Sequence, residues 1–275
     1  MSNYKVGFIG GGNMARALVG GLLSSGYRPE NLMLAEPNAE RRGVLSADLP
    51  GVLVSKDNST VADRADCLVL AVKPQLMREV CLDLADTVQA GRPLVISVAA
   101  GTHSRDIDAW LGDGLAVVRV MPNQPALLLK GASGLFANEV TSSKERDRAT
   151  EILSAVGSVV HVADEGDIDA VTAISGTGPA YFYLLIDMLI QSAEDFGLDS
   201  QAAHKLVMDT AQGSASLAAV SGESMEAMIA HVRSPGGTTA AAFEVFDNKN
   251  VRDIFAAAIA AARQRAVELA ETSGQ

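Results

Sequence analysis

The sequence predicts a doubly wound α/β domain followed by an all-helical one, and three observations predict it. Short apolar runs alternate with amphipathic stretches through the first half, a glycine-rich turn follows the first run, and from about residue 167 the chain becomes Ala-rich with helical periodicity. A doubly wound sheet requires that alternation, because each strand is followed by a crossover helix. The composition boundary falls between residues 163 and 164, giving domains at 1–163 and 164–275.

The candidate strands are 5–9, 32–35, 52–54, 68–72, 94–98 and 117–121, with a last strand-like piece at 158–162. Several are nearly continuous apolar runs, as strands covered on both faces should be. Between them lie helical stretches such as 14–24 and 75–84. The acidic turn Ala163-Asp164-Glu165-Gly166-Asp167 closes this half. In the helix expected over 180–196, Tyr181, Phe182, Leu184, Leu185, Met188 and Leu189 nearly encircle the axis, too apolar for a helix exposed on one side. About 110 helical residues form only a thin bundle, so this helix is expected to be buried in a homodimer interface.

Composition narrows the function. Asp plus Glu outnumber Lys plus Arg by 33 to 22, and a net charge of −11 opposes the phosphate neutralisation that nucleic-acid binding needs, so no nucleic-acid partner is expected. The longest uncharged stretch, 170–186, is broken by Gly-Thr-Gly-Pro and falls short of the roughly 20 residues that span a bilayer, so no membrane span is expected. The opening Met-Ser-Asn-Tyr-Lys-Val leads straight into a strand pattern without a secretory signal, which predicts a cytoplasmic protein. Cys67 and Cys81 lack metal-site spacing and read as reduced structural thiols. His103, His161, His204 and His231 match no metal or triad spacing, so no metal is predicted.

Directly after the first strand, Gly10-Gly11-Gly12-Asn13-Met14-Ala15 fits Gly-x-Gly-x-x-Ala at a strand-to-helix turn. Gly10 permits the tight turn, Gly12 lets backbone approach a pyrophosphate, and the small Ala15 lets the helix pack on the strand, while the helix N-terminus offers N–H groups. Glu36 stands at the end of the second strand, where a carboxylate can accept hydrogen bonds from an adenine-ribose diol, which argues for NAD. Arg41 and Arg42 follow closely and could hold a 2′-phosphate instead, so NAD versus NADP stays open.

Ala71-Val72-Lys73-Pro74-Gln75, Ile96-Ser97-Val98-Ala99-Ala100-Gly101 and Arg119-Val120-Met121-Pro122-Asn123 follow the glycine turn in order. The second half adds Ala173-Ile174-Ser175-Gly176-Thr177-Gly178-Pro179-Ala180-Tyr181 and Val232-Arg233-Ser234-Pro235-Gly236-Gly237-Thr238-Thr239. By these motifs the chain resembles the pyrroline-5-carboxylate reductases over essentially its whole length. The resemblance implies a Rossmann-like dinucleotide-binding domain joined to a helical dimerisation and substrate-binding domain. It also implies a homodimer that can assemble into a larger ring such as a decamer, and reduction of 1-pyrroline-5-carboxylate to L-proline with NADP(H) or NAD(H). Carried over by position, Gly10, Gly11, Gly12, Asn13, Met14, Asn58, Ala71, Val72, Lys73 and Pro74 look like cofactor contacts, with Glu36 at the ribose. Asn123 looks like a substrate contact. Glu36 departs from the small polar residues of some members, and Ser221-Gly222-Glu223-Ser224-Met225 departs from their His-Pro wording, which should alter a surface turn.

The residues suit that chemistry. A small ring bearing a carboxylate and a C=N bond needs an anion grip and one carbon presented to the nicotinamide. Pro235 fixes one dihedral, Gly236 and Gly237 allow angles barred to other residues, and a helix reads as starting at Ala240-Ala241-Ala242-Phe243. Its free N–H groups, with the Ser234 and Thr238 hydroxyls, would cradle a carboxylate. Thr239 is the candidate catalytic residue, donating a hydrogen bond to the imine nitrogen; its hydroxyl is a poor acid, so its work is positioning. Lys73, the alternative acid, is assigned to the cofactor side. Two rivals remain: a β-hydroxyacid dehydrogenase, whose lysine after Gly-x-x-Gly has no counterpart in residues 176–184, and a nucleotide-sensing dimer without turnover, against which the intact 234–239 run argues.

Overall fold

A computed structural model describes residues 4–273. The strands β1 (Val6–Ile9), β2 (Leu32–Ala35), β3 (Leu53–Ser55), β4 (Cys67–Leu70), β5 (Leu94–Ser97), β6 (Val117–Met121), β7 (Gly131–Ala137) and β8 (Gly157–His161) form one sheet in the order β3-β2-β1-β4-β5-β6-β7-β8. Neighbours run parallel except β6 and β7, which are antiparallel. β1 and β2 lie on one side of the order and β4 on the other, so the direction of winding reverses between β1 and β4. In such sheets ligands bind in the crevice beyond the strands' carboxyl ends at this switch point.

Both faces are covered, as the apolar runs predict. One core joins Phe8, Leu34 and Val118 to α1 (Asn13–Ser24), α2 (Ala39–Asp48) and α6 (Ser143–Ser154) through Leu18, Leu45 and Ile152. The other joins Ile9, Leu68 and Val95 to α3 (Asn58–Ala62), α4 (Pro74–Gly91) and α5 (Ser104–Trp110) through Val61, Met77 and Ile107. At the start of α6, Ser142 and Glu145 form a reciprocal capping box that satisfies two N–H groups.

Two features depart from the sequence expectation. β7 has no counterpart there, because Gly-Ala-Ser-Gly reads as loop. A Cβ on Gly134 would lie 2.6 Å from the Val171 side chain, and one on Gly131 2.9 Å from the Val156 carbonyl, so the strand is glycine-rich for close packing. Nor does Gly-Thr-Gly-Pro interrupt the helical run. After α7 (Asp167–Val171), a π turn over Thr172–Gly176 absorbs the irregularity, and α8 (Gly178–Asp195) carries Pro179 in its first turn, where a missing N–H costs little. The whole helical run, Asp167–Asp195, is 29 residues long and by length and composition could cross a membrane, contrary to the expectation from its sequence.

Helices α9 (Ser200–Ser221), α10 (Met225–Val232), α11 (Thr238–Asn248) and α12 (Val251–Ser273) follow. The chain divides into two compact units, one reaching Thr177 and resuming at Ala261, the other Gly178–Ala260. The composition boundary at 163/164 precedes this division by the length of α7 and the π turn. In the second unit Phe182, Leu184 and Phe196 are 66%, 57% and 88% exposed in the single chain.

Candidate active site

In the first unit the glycine turn is shaped by what surrounds each residue. Gly10 adopts φ +100°, and a Cβ there would meet the Ala71 carbonyl at 2.7 Å, so both its conformation and its neighbour require glycine. At Gly11 a Cβ would meet Leu45 at 2.6 Å, whereas at Gly12 it would meet nothing within 4 Å. That open face lies at the N-cap of α1, where no side chain caps the helix. The cradle fits a pyrophosphate, which would take the exposed N–H groups and meet the positive end of the helix dipole. Asn13 is exposed and Met14 half-buried at this helix start.

The other expected cofactor residues gather at the same strand ends. Ala71 and Val72 are half-buried after β4, and the Ala71 N–H donates to the Ile9 carbonyl at 2.8 Å. Exposed Lys73 is the N-cap of α4, and Pro74 opens that helix. Asn58 begins α3, half-buried. Glu36 is 4% exposed, and its carboxylate accepts from the N–H groups of Gly11 (3.2 Å) and Asn38 (2.9 Å). Arg41, mostly exposed, lies 3.8 Å from Glu36, while Arg42 donates to the carbonyls of Glu36 and Pro37. The expected ribose acceptor is therefore bonded to the turn itself, and Arg41 is the freer group.

Beside the turn opens a cavity of about 360 Å³ lined by Asn13, Val98, Ala100, Met121, Asn123 and Gly176 among others. Asn123 reaches it from the end of β6, but its amide is already engaged: Nδ2 donates to the Ser175 carbonyl at 3.1 Å and Oδ1 accepts from the Ala132 N–H at 2.9 Å. It ties the π turn to β7 and fixes a cavity wall.

Beneath that wall lies a charged cluster the sequence reading missed. Arg119, 1% exposed on β6, points Nη1 at Glu165 Oε1 and His103 Nδ1, both at 3.3 Å, and Nη2 at Asp169 Oδ1 at 3.4 Å. Its Nε is buried without a partner. Burial pushes the Glu165 carboxyl up, but hydrogen bonds from His103 and Ser104 and the Arg119 charge outweigh it and hold the group at about 2. The legible signal was an arginine inside the apolar strand Val-Val-Arg-Val-Met, which implies buried partners.

In the second unit, Ser234, Gly236, Gly237, Thr238 and Thr239 come together at the start of α11. Gly236 adopts φ +70°, the Gly237 N–H donates to the Ser234 carbonyl at 3.0 Å, and Gly237 is an N-cap without a side-chain cap. The helix starts at Thr238, two residues before the expected Ala240. Thr239 is half-buried, whereas Ser234 and Thr238 are exposed. The preceding Arg233 lies over the Phe243 ring at 5.3 Å and 3.8 Å from Asp247, pinning the loop to α11.

Both cysteines are buried, and burial pushes each thiol up to about 12, so neither is a nucleophile. Among the described residues no group of His, Cys, Asp and Glu is placed to hold a metal ion.

Comparison with known proteins places this arrangement among relatives. Residues 165–269 match the family model for pyrroline-5-carboxylate reductase dimerisation, and residues 5–101 match that for NADP oxidoreductase, coenzyme F420-dependent. The chain is 42% identical to pyrroline-5-carboxylate reductase of Pseudomonas aeruginosa over 275 residues, covering 100% of both chains. The solved structure of a pyrroline-5-carboxylate reductase from Coxiella burnetii is similar with a TM-score of 0.92 and 39% identity, covering 98% of this chain and 99% of the other. The Plasmodium falciparum pyrroline carboxylate reductase with NADP bound gives a TM-score of 0.87 at 28% identity, again covering 98% and 99%.

Proposed function

The chain belongs to the pyrroline-5-carboxylate reductase family, and on that premise we propose how its residues divide the work of reducing 1-pyrroline-5-carboxylate to L-proline, the last step of proline biosynthesis. The enzyme is an NAD(P)H-dependent oxidoreductase and a homodimer. The observation that carries the proposal is that α1 and α11 both begin behind glycines with no side-chain cap, so each offers N–H groups to an anion.

The turn from Gly10 to Met14 holds the pyrophosphate, and Asn58 with Ala71–Pro74 completes the dinucleotide site. Arg41 takes the 2′-phosphate of NADP(H), since the Glu36 carboxylate is satisfied by the turn it braces. When bound, the nicotinamide supplies the hydride. Gly236, Gly237 and Thr238, with the Ser234 hydroxyl, grip the substrate carboxylate, and Thr239 donates a hydrogen bond to the imine nitrogen, polarising the C=N bond. The proton comes from water; where the imine arrives already protonated, its N–H donates to the Thr239 hydroxyl instead. Asn123 acts by fixing the cavity wall through Ser175 and Ala132. The remaining chemistry is orientation: a largely apolar pocket sets the ring face toward the cofactor.

The proposal includes a dinucleotide domain at 1–163, a helical domain at 164–275, NADH as a second reductant and the cytoplasm as compartment. Dimers assemble further into a ring such as a decamer. The apolar face of α8 is read as covered by the second copy rather than by lipid. A spectrophotometric assay with fresh 1-pyrroline-5-carboxylate tests the core: oxidation of NADPH exceeding that of NADH is expected, and no oxidation of either would overturn it in favour of a non-catalytic nucleotide-binding dimer.

A further inference from the structure

Arg119 joins its own strand to two other chain segments, and each of the three also forms a wall of the cavity beside the glycine turn. His103 belongs to the loop whose Val98 and Ala100 line that cavity. Glu165 and Asp169 stand at the start of the helical run that ends its π turn at the lining residue Gly176. Arg119 itself precedes the lining residue Met121 by two positions, so both side chains leave the same face of β6. A Cβ on Gly176 would lie 2.5 Å from the Met121 methyl, so the strand end and the π turn are in direct contact. Glu165 extends the link, accepting from the Ser104 N–H at 2.7 Å and its hydroxyl at 2.8 Å.

As a device for stability this cluster is poor. Its guanidinium contacts run from 3.3 to 3.4 Å, its Nε is unsatisfied, and two carboxylates face one arginine. Well-packed apolar side chains of similar volume hold a core as well or better, because buried ions must first lose their water. What apolar packing does not supply is direction: a planar fork fixes the angles of the groups it meets.

We propose that Arg119 is a positioning residue for hydride transfer, which sets the loop after β5, the end of β6 and the π turn at the spacing that brings cofactor and imine carbon together. The inference rests on reading the cavity as the reacting pocket. Misplacement by about 1 Å lowers rates by about 100-fold, so loss of the fork should fall on turnover.

The test is a triple variant, Arg119→Met with Glu165→Gln and Asp169→Asn, which leaves no buried charge unpaired in the cluster. It is expected to fold, to keep its KM for NADPH, and to lose about 10- to 100-fold in turnover per titrated active site. The deuterium isotope effect with NADPH labelled at the transferred position should rise. Wild-type turnover per site with an unchanged isotope effect would overturn the inference, since a merely structural cluster alters only the fraction of folded enzyme. Arg119→Lys keeps the charge but loses the fork and tests the same point if the triple variant does not fold: reduced turnover with intact cofactor binding supports positioning, and full turnover refutes it. Ala100→Phe, which fills the cavity, separates the premise; full turnover in that variant means the reaction occurs elsewhere and removes the inference with its premise.

Discussion

Phe8, Ile9, Leu18 and Leu68 of the first unit are completely buried, while Phe182, Leu184 and Phe196 of the second stand 45% exposed or more in the single chain, with values of 66%, 57% and 88%. The two units carry similar apolar side chains and dispose of them differently. A sheet with helices on both faces closes its own core; a thin set of helices does not, and on the proposed reading its apolar surface is covered by a second copy of the chain. That reading makes stability of the first unit a property of one chain and stability of the second dependent on protein concentration.

Four perturbations sharpen or break this contrast. The largest effect is expected from Phe182→Asp with Leu184→Asp, because each carboxylate would have to be desolvated in the dimer interface at several kcal/mol. The dimer dissociation constant should rise by about 1000-fold or more, read by light scattering across a dilution series, while the far-ultraviolet signature of the sheet persists; an undisturbed dimer would place the interface elsewhere. Next comes Leu18→Ala in the internal core, expected to cost about 2–5 kcal/mol in denaturant unfolding without changing the dimer constant. A shift in the dimer constant would show that the two units are not energetically separate.

Thr239→Ala should lower turnover by about 10- to 1000-fold, the range typical of losing one positioned donor, with cofactor affinity unchanged in a fluorescence titration. Unchanged turnover removes Thr239 from the mechanism. The smallest effect concerns Glu165. Its folded-state pKa of about 2 lies below its ordinary 4.5, so its stabilising contribution is full above 4.5 and is lost as pH falls from there toward 2. Glu165→Gln should flatten that acid limb of the stability profile; an identical limb in the variant would assign it to other carboxylates.

Much of the fold could be read from sequence because the strands covered on both faces are nearly pure apolar runs. Leu32–Ala35, Leu94–Ser97 and Val117–Met121 stand out for that reason. β7 escaped because Gly131 and Gly134 serve close packing, and local pattern does not distinguish a glycine held against Val171 from one in a loop. Gly-Thr-Gly-Pro misled in the same way: Pro179 breaks a helix only beyond its first turn, and a π turn just upstream resets where that first turn lies. Of the candidate site, the local geometry of the glycine turn and of the start of α11 was legible, because positive-φ glycines and helix starts are local. Glu36 was visible as a carboxylate at a strand end, but its bonds to Gly11 and Asn38 depend on how the turn folds back. The Arg119 cluster joins residues up to 66 positions apart, and only the topology of β5, β6 and α7 brings them together: His103 to Asp169 is that span.

The central claim is that an uncapped helix start at Gly237–Thr239 grips the acid group while the start of α1 holds the dinucleotide. A crystal structure of the enzyme with NADP and L-proline tests it most directly. The account predicts the proline carboxylate on the N–H groups of Gly237–Thr239 with the ring nitrogen at the Thr239 hydroxyl, and the pyrophosphate over Gly12. A carboxylate bound away from that helix start, in every subunit of the assembly, would contradict it.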